Sequence, residues 1–226
     1  MKKKRALRIL SLILLCALTF TACKKNVGTP EDNAASKDEN TEEKDKDEQE
    51  DWKIGFSGID MENPYFLTLE SAIKEELDGK NCELIVKDPK TDPDMQASQI
   101  QKMIDEGINA IILSPVDWEK ITPSLEALKE ADVKIVNVDT QVKEMDYVDA
   151  YIGSDNYNAG VLCGEDLIKR CPDGGKVAIL ECPTQNSVNE RITGFEETLA
   201  KAENGFEIVA REDTSGEFQK SLEAAQ

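Results

Sequence analysis

From Trp52 onward the chain alternates short aliphatic runs with apolar residues at helical spacing, and this rhythm constrains the fold more than any other feature. Lys53–Ser57 reads as a strand. Phe66, Leu69, Ile73 and Leu77 then mark one face of a helix. Further strands are expected at Glu83–Val86, Ala110–Leu113, Val133–Val138 and Ala150–Gly153. Between them lie the helix stripes Ala97, Ile100, Met103, Ile104 and Ile121, Leu125, Leu128. Beyond Asp155 a helix is expected around Val161–Ile168, a strand at Lys176–Leu180, and a helix carrying Val188, Ile192, Phe195 and Leu199. A strand at Phe206–Ala210 and a helix from about Glu217 follow. Such a βαβα rhythm predicts parallel sheets covered by helices on both faces. The fold class is therefore α/β, with two doubly wound parallel-sheet lobes, the second incomplete. Five strands before Asp155 give an N-terminal lobe over 52–155, and two after it give a partial C-terminal lobe over 156–226. No strong stop signal closes the last helix, so the chain is expected to be a fragment of a longer protein or to be completed by a partner.

The segment before Trp52 has a different texture. Lys2, Lys3, Lys4, Arg5 and Arg8 form a basic stretch, and Ile9–Phe20 is almost wholly apolar. That run is short against the roughly 20 residues of a spanning helix. Thr21-Ala22-Cys23 follows, which gives residues 1–22 the layout of a secretory signal peptide. With Cys23 after the small residue, the segment resembles a bacterial lipoprotein signal, although Phe20 stands where leucine is usual. The resemblance implies that the Cys23 thiol is lipidated and anchors the protein to the outer face of the cell membrane. Residues 23–51 are nearly all Lys, Asp, Glu, Asn, Ser and Thr, and read as a disordered acidic tether.

Composition removes several functions. The chain has 226 residues and no histidine, so Ser-His-Asp and Cys-His catalysis and His-ligated zinc are unavailable. A formal net charge of −19 argues against nucleic acid as a partner. No G-x-G-x-x-G or G-K-[ST] loop follows the first strand, so no phosphate cradle is expected. No cofactor and no metal are expected, and the protein is not expected to be an enzyme.

In open parallel sheets the ligand crevice lies at the carboxyl ends of the strands. After the first strand, Asn63 is a suitable N-cap and Pro64 a suitable first helical residue. Tyr65 and Phe66 then fall at the crevice edge, where they could stack on an apolar ring face or join the core. Asp139 follows the strand at Val133–Val138; a carboxylate there can accept two hydroxyl hydrogen bonds, or simply form a turn. Thr140 would be a weaker polar contact. Ser187-Val188-Asn189-Glu190 reads as a capping box with serine at the N-cap. Arg191 would then sit at the helix start, where the dipole disfavours a cation by about 0.3–1 kcal/mol. That misfit suggests a ligand task; a surface ion pair with Glu190 or Glu196 is the plainer reading.

These positions resemble a known pattern. Asn63-Pro64-Tyr65-Phe66, Gly107–Pro115, Val138-Asp139-Thr140, Ile152–Asn156 and Glu190–Phe195, in this order and spacing, are similar to the type I periplasmic sugar-binding proteins of ABC importers. The resemblance runs from about Lys53 to Gln226. It implies a two-lobed clamp on a monosaccharide or similar polyhydroxy ligand, working as a monomer with an ABC permease as partner. Carried over, Asn63 would bond a hydroxyl, Tyr65 and Phe66 would flank the ring, Asp139 and Thr140 would face the crevice, and Arg191 would reach in from the second lobe. Ribose-type members carry arginine directly after the aspartate; Thr140 stands there instead, which points away from ribose itself. An alternative is a ligand-sensing lipoprotein that signals to a membrane receptor or sensor kinase. A repressor of this fold would need a basic helix-turn-helix where the signal stands, and an enzyme would need a nucleophile–base pair that is not visible.

Cys82, Cys163, Cys171 and Cys182 lack C-x-x-C spacing. They are expected to be buried free thiols. Trp118 is expected to begin a helix with a surface or core role, and Trp52 to pack at the base of the first lobe.

Overall fold

The structure is a computed structural model that describes residues 51–203 and 205–226. The expected signal peptide at 1–22, the expected lipidation at Cys23 and the expected tether up to residue 50 lie outside the described residues. Within them, strands and helices alternate as β1 (Trp52–Ser57), α1 (Pro64–Leu77), β2 (Cys82–Lys87), α2 (Pro93–Asp105), β3 (Ala110–Leu113), α3 (Thr122–Glu130), β4 (Lys134–Val138) and β5 (Ala150–Ile152). They continue as α4 (Asn156–Arg170), β6 (Gly175–Glu181), α5 (Asn186–Leu199), β7 (Phe206–Asp213) and α6 (Phe218–Ala224). β1–β5 form one parallel sheet in the order β2-β1-β3-β4-β5, and β6 and β7 pair in parallel as a second. The register pairs Ile54 of β1 with Leu84 on one side and Ala110 on the other. The strand order reverses at β1, so the connections after β1 and β3 leave in opposite directions, the arrangement at which open parallel sheets place their ligands.

Successive strand residues face opposite sides of the sheet, and both sides are covered. On one side Ile111, Leu113 and Ile135 pack with Ile100 and Met103 of α2 and Leu125 and Leu128 of α3. On the other, Phe56 packs with Ile59, Met61, Val116 and Phe66 of α1. Burial of each such aliphatic or aromatic side chain contributes about 1.5–3 kcal/mol. This is the doubly wound arrangement that the rhythm predicts.

Parallel strands all end at one edge, and the loops leaving that edge need partners for their main-chain groups. Two buried carboxamides supply them. The Gln96 Nε2 of α2 donates to Ser57 Oγ (3.0 Å), the Ser114 carbonyl (3.0 Å) and the Gly58 carbonyl (3.3 Å). Its Oε1 accepts the Val116 N–H at 2.8 Å. Gln96 thus ties the loop after β1 to the loop after β3. The Asn137 Nδ2 donates to the carbonyls of Leu113 (3.1 Å) and Thr140 (2.9 Å), while its Oδ1 accepts the Val142 N–H at 3.1 Å. Asn137 thereby shapes the turn that carries Asp139.

Several local expectations are corrected. α4 begins at Asn156, well before the apolar stripe at Val161, because Asp155 caps it by accepting the Asn158 N–H at 3.0 Å. α5 begins at Asn186, so Ser187 lies in its first turn and is not the N-cap. Arg191 then lies in the second turn, where the helix dipole has little effect. Trp118 belongs to a turn before α3, its N–H donating to the Thr184 carbonyl at 3.0 Å. Trp52 is 41% exposed and is not buried packing. The cysteines are free, but of the four only Cys182 is buried and Cys163 is exposed.

Replacing Gln96 by leucine strands four polar groups at the sheet edge, each at a cost of about 1–3 kcal/mol where water does not reach. Gln96→Leu should lower the unfolding free energy by about 3 kcal/mol or more in urea denaturation, whereas a loss below about 1 kcal/mol would show that the loops do not depend on this tie.

Candidate ligand-binding site

The loop after β1 presents the first wall. The Asn63 Oδ1 accepts the Tyr65 N–H at 3.0 Å and caps α1, with Pro64 at its first position. This leaves the Asn63 Nδ2 as its donor toward solvent. Tyr65 is 51% exposed, while Phe66 is 3% exposed and belongs to the core. Their rings meet edge to face at 5.1 Å. Phe66 lies so close to Gly58 that a Cβ there would fall 2.8 Å from its ring. Phe66 therefore supports Tyr65 from beneath and does not offer its own face to the crevice.

Asp139 leaves β4 with a φ of 67°, a left-handed conformation that few non-glycine residues adopt. Three bonds hold it there. Its N–H donates to the Ile152 carbonyl at 2.9 Å, its carbonyl accepts the Tyr151 hydroxyl at 2.9 Å, and Asn137 fixes the residues that follow. Tyr151 reaches Asp139 by passing over Gly153, where a Cβ would lie 2.0 Å from its hydroxyl oxygen. The Ser114 hydroxyl makes a long contact with Asp139 Oδ2 at 3.5 Å.

Arg191 comes from α5. α4 and α5 touch backbone to backbone: a Cβ on Gly160 would lie 2.0 Å from the Arg191 carbonyl oxygen, and one on Gly194 would lie 2.1 Å from that of Tyr157. The Arg191 Nε donates to Asn156 Oδ1 at 2.9 Å, and Asn156 is 2% exposed. A buried amide thus orients the guanidinium and leaves its terminal nitrogens as donors.

Asp139 lies within electrostatic reach of Arg191, Tyr65 and Tyr151. Burial raises the Asp139 carboxyl above the usual carboxylate range; the Arg191 guanidinium and the Ser114 contact pull it back without cancelling the rise. Burial also raises the Tyr65 phenol, and the Asp139 charge adds to it. Tyr151 is raised by burial, then by Glu190, Asp139 and Tyr65. Both phenols remain protonated donors at neutral pH. A desolvated acceptor, a planar donor fork and an exposed aromatic ring in one place can hold a neutral molecule with hydroxyl edges and C–H faces.

Of the residues singled out in the sequence, the structure sets Asp139 within electrostatic reach of Tyr65 and Arg191 and leaves Asn63 exposed as the cap of α1. Thr140 is a correction. It is 0% exposed and its Oγ1 accepts the Ser187 N–H at 2.9 Å, so its hydroxyl is committed to the protein. Tyr151 and Asn156 were missed. Tyr151 sat inside a strand pattern, and Asn156 sat in a polar stretch without periodicity.

The folded chain holds the Asp139 proton more tightly than the unfolded chain does. Its contribution to stability therefore falls as pH rises from the ordinary carboxylate range through the raised value. Asparagine keeps the shape and tolerates positive φ. Asp139→Asn should raise the melting temperature of the free protein at pH 7 and remove this part of the pH slope; a lower melting temperature at pH 7 would contradict a desolvation-dominated carboxylate.

Comparison with known proteins bears on the fold and the family. A family profile described as a periplasmic binding protein domain matches residues 54–226. The ribose import binding protein of Bacillus subtilis (strain 168) is 26% identical over 175 residues, covering 77% of this chain and 56% of that protein. The D-ribose/D-allose-binding protein of Pseudomonas aeruginosa is 28% identical over 224 residues, covering 94% of this chain and 66% of that protein. A solved ABC transporter solute binding protein from Mycobacterium smegmatis, with bound glycerol, has a TM-score of 0.69 at 30% identity, covering 76% of this chain and 60% of that one. The chain thus spans a little over half the length of the first of these curated relatives. With the profile running from β1 to the last residue, over two parallel sheets and the cleft loops, the chain belongs to the periplasmic binding protein domain family.

Proposed function

We propose that this protein captures a monosaccharide or a similar small polyhydroxy molecule outside the cytoplasm and presents it to an ABC importer. The observation that carries the reading is the convergence of the desolvated Asp139 carboxylate with Arg191 and the exposed ring of Tyr65. In this reading two lobes, over 52–155 and 156–226, form the walls of the cleft. Asp139 accepts two ligand hydroxyls, and Arg191 donates to the ring oxygen and a neighbouring hydroxyl. Tyr65 lies against a C–H face, and the Asn63 amide donates at the rim. Hydroxyl donors from such a ligand would stabilise the charged form of Asp139. An anionic ligand is disfavoured, since the chain carries 46 acidic against 27 basic residues.

The supporting comparisons concern sugar-binding relatives, two of them named for ribose. Arginine follows the aspartate in ribose-type members, and the buried Thr140 stands there in this chain, which favours another pentose, a hexose or a polyol. The signal-like residues 1–22 and Cys23 support an extracytoplasmic protein held to the membrane by lipid; a monomer working with a permease belongs to the same reading. The reading requires no chemistry and no cofactor.

Titration calorimetry against a panel of neutral pentoses, hexoses and polyols tests the proposal. At least one should bind, and Asp139→Ala or Arg191→Ala should each weaken it by about 2 kcal/mol or more, roughly thirtyfold in Kd, because each leaves a charged partner unpaired. Near-unchanged affinity in both variants would overturn the site.

A further inference from the structure

The first turn of α5 has no side-chain cap of its own: Gln185, at the N-cap position, makes no capping bond. A helix start leaves four main-chain N–H groups without intrahelical partners. One of them, on Ser187, is buried, and its partner comes from another element 47 residues away, the Thr140 hydroxyl at 2.9 Å. Thr140 follows β4 of the first sheet, directly after Asp139, and its own carbonyl is held by Asn137. Ser187 stands four residues before Arg191, on the same face of α5. The pair Asp139-Thr140 therefore faces the pair Ser187 and Arg191, one helical turn apart.

We propose that Thr140 is a positioning residue: its hydroxyl caps α5 from the opposite wall of the cleft and so sets Arg191 against Asp139. The bond joins elements that pair into different sheets. Nearby, the Trp118 N–H to Thr184 carbonyl bond makes a second tie between the same two walls. The trans cap needs an oxygen acceptor on residue 140 and the main-chain N–H of residue 187, and it makes no use of the Ser187 hydroxyl. A longer side chain at 140 would have no room, because the residue is fully buried. The consequence for ligand affinity rests on the proposed sugar-binding reading; the cap itself does not.

Amide hydrogen exchange of the whole chain without ligand tests the cap. In the unsubstituted protein the Ser187 amide should exchange at least tenfold more slowly than an unstructured amide. Thr140→Val keeps the shape and loses the acceptor, and should speed that exchange about fivefold, the ratio expected for loss of one side-chain cap. Thr140→Ser and Ser187→Ala should leave it unchanged. A Ser187 amide that exchanges freely in the unsubstituted protein, or an unchanged rate in a folded Thr140→Val, would overturn the proposal. With a sugar found by the calorimetric panel, Thr140→Val should raise Kd about fivefold while Thr140→Ser restores it. Equal affinity in both would mean that the cap does not position Arg191. Should no sugar bind at all, the exchange rates still decide the cap, and only the ligand reading fails.

Discussion

A parallel sheet ends all its strands at one edge, and the main-chain groups leaving that edge must be bonded in a place where water is scarce. The answer in this chain is a pair of buried carboxamides. Gln96 joins the loops after β1 and β3, and Asn137 folds the turn after β4. Each uses both its donor and its acceptor, Gln96 to tie two loops and Asn137 to tie one turn to the end of β3. The residues proposed to face the ligand stand on or beside those loops. Tyr65 follows the first, Ser114 the second, and Asp139 the third. The rigidity of the site is thus set by residues that do not face it, and a positive φ at Asp139 is tolerable because its neighbours leave it no alternative.

The opposite wall is organised differently. α4 and α5 approach until backbone meets backbone at Gly160 and Gly194, and this fixes where Arg191 leaves its helix. Asn156, the first residue of α4, then binds its Nε. That same residue follows the crossover from β5, so the connection between the sheets ends at the group that orients the cation. One wall supplies an acceptor whose charge is costly to bury, and the other supplies a donor whose direction is preset. Such a pair gains most when a ligand lies between them. Pre-organisation of this kind raises affinity by lowering the ordering cost of binding.

Much of the fold was legible in the sequence, because period 2 and period 3.6 apolar patterns report which faces are buried. The strands were placed to within a few residues. Helix starts were less visible where the first turn is polar: Asp155 and Asn156 begin α4 without an apolar residue to mark them. Ser187 imitated an N-cap because its type and spacing to Glu190 are right, while its burial decides otherwise. Arg191 was singled out by a helix start placed two residues late, whereas position after a strand singled out Tyr65 and Asp139. The same rule could not tell Phe66 and Thr140 from them, since adjacent residues differ only in which way they point. Gln96, Asn137, Tyr151 and Asn156 left no local trace, because their partners lie elsewhere in the chain and a hydrogen bond at distance has no sequence period.

The account stands or falls on a single molecule being held by Asp139 and Arg191 together. A crystal structure of the protein with the tightest neutral sugar or polyol from a binding panel tests this most directly. The account predicts a ligand whose hydroxyls lie within hydrogen-bond distance of the Asp139 carboxylate and the Arg191 guanidinium, with a C–H face against the Tyr65 ring and Thr140 still bonded to the Ser187 N–H. A ligand bound elsewhere, with Asp139 and Arg191 both facing solvent, would contradict it.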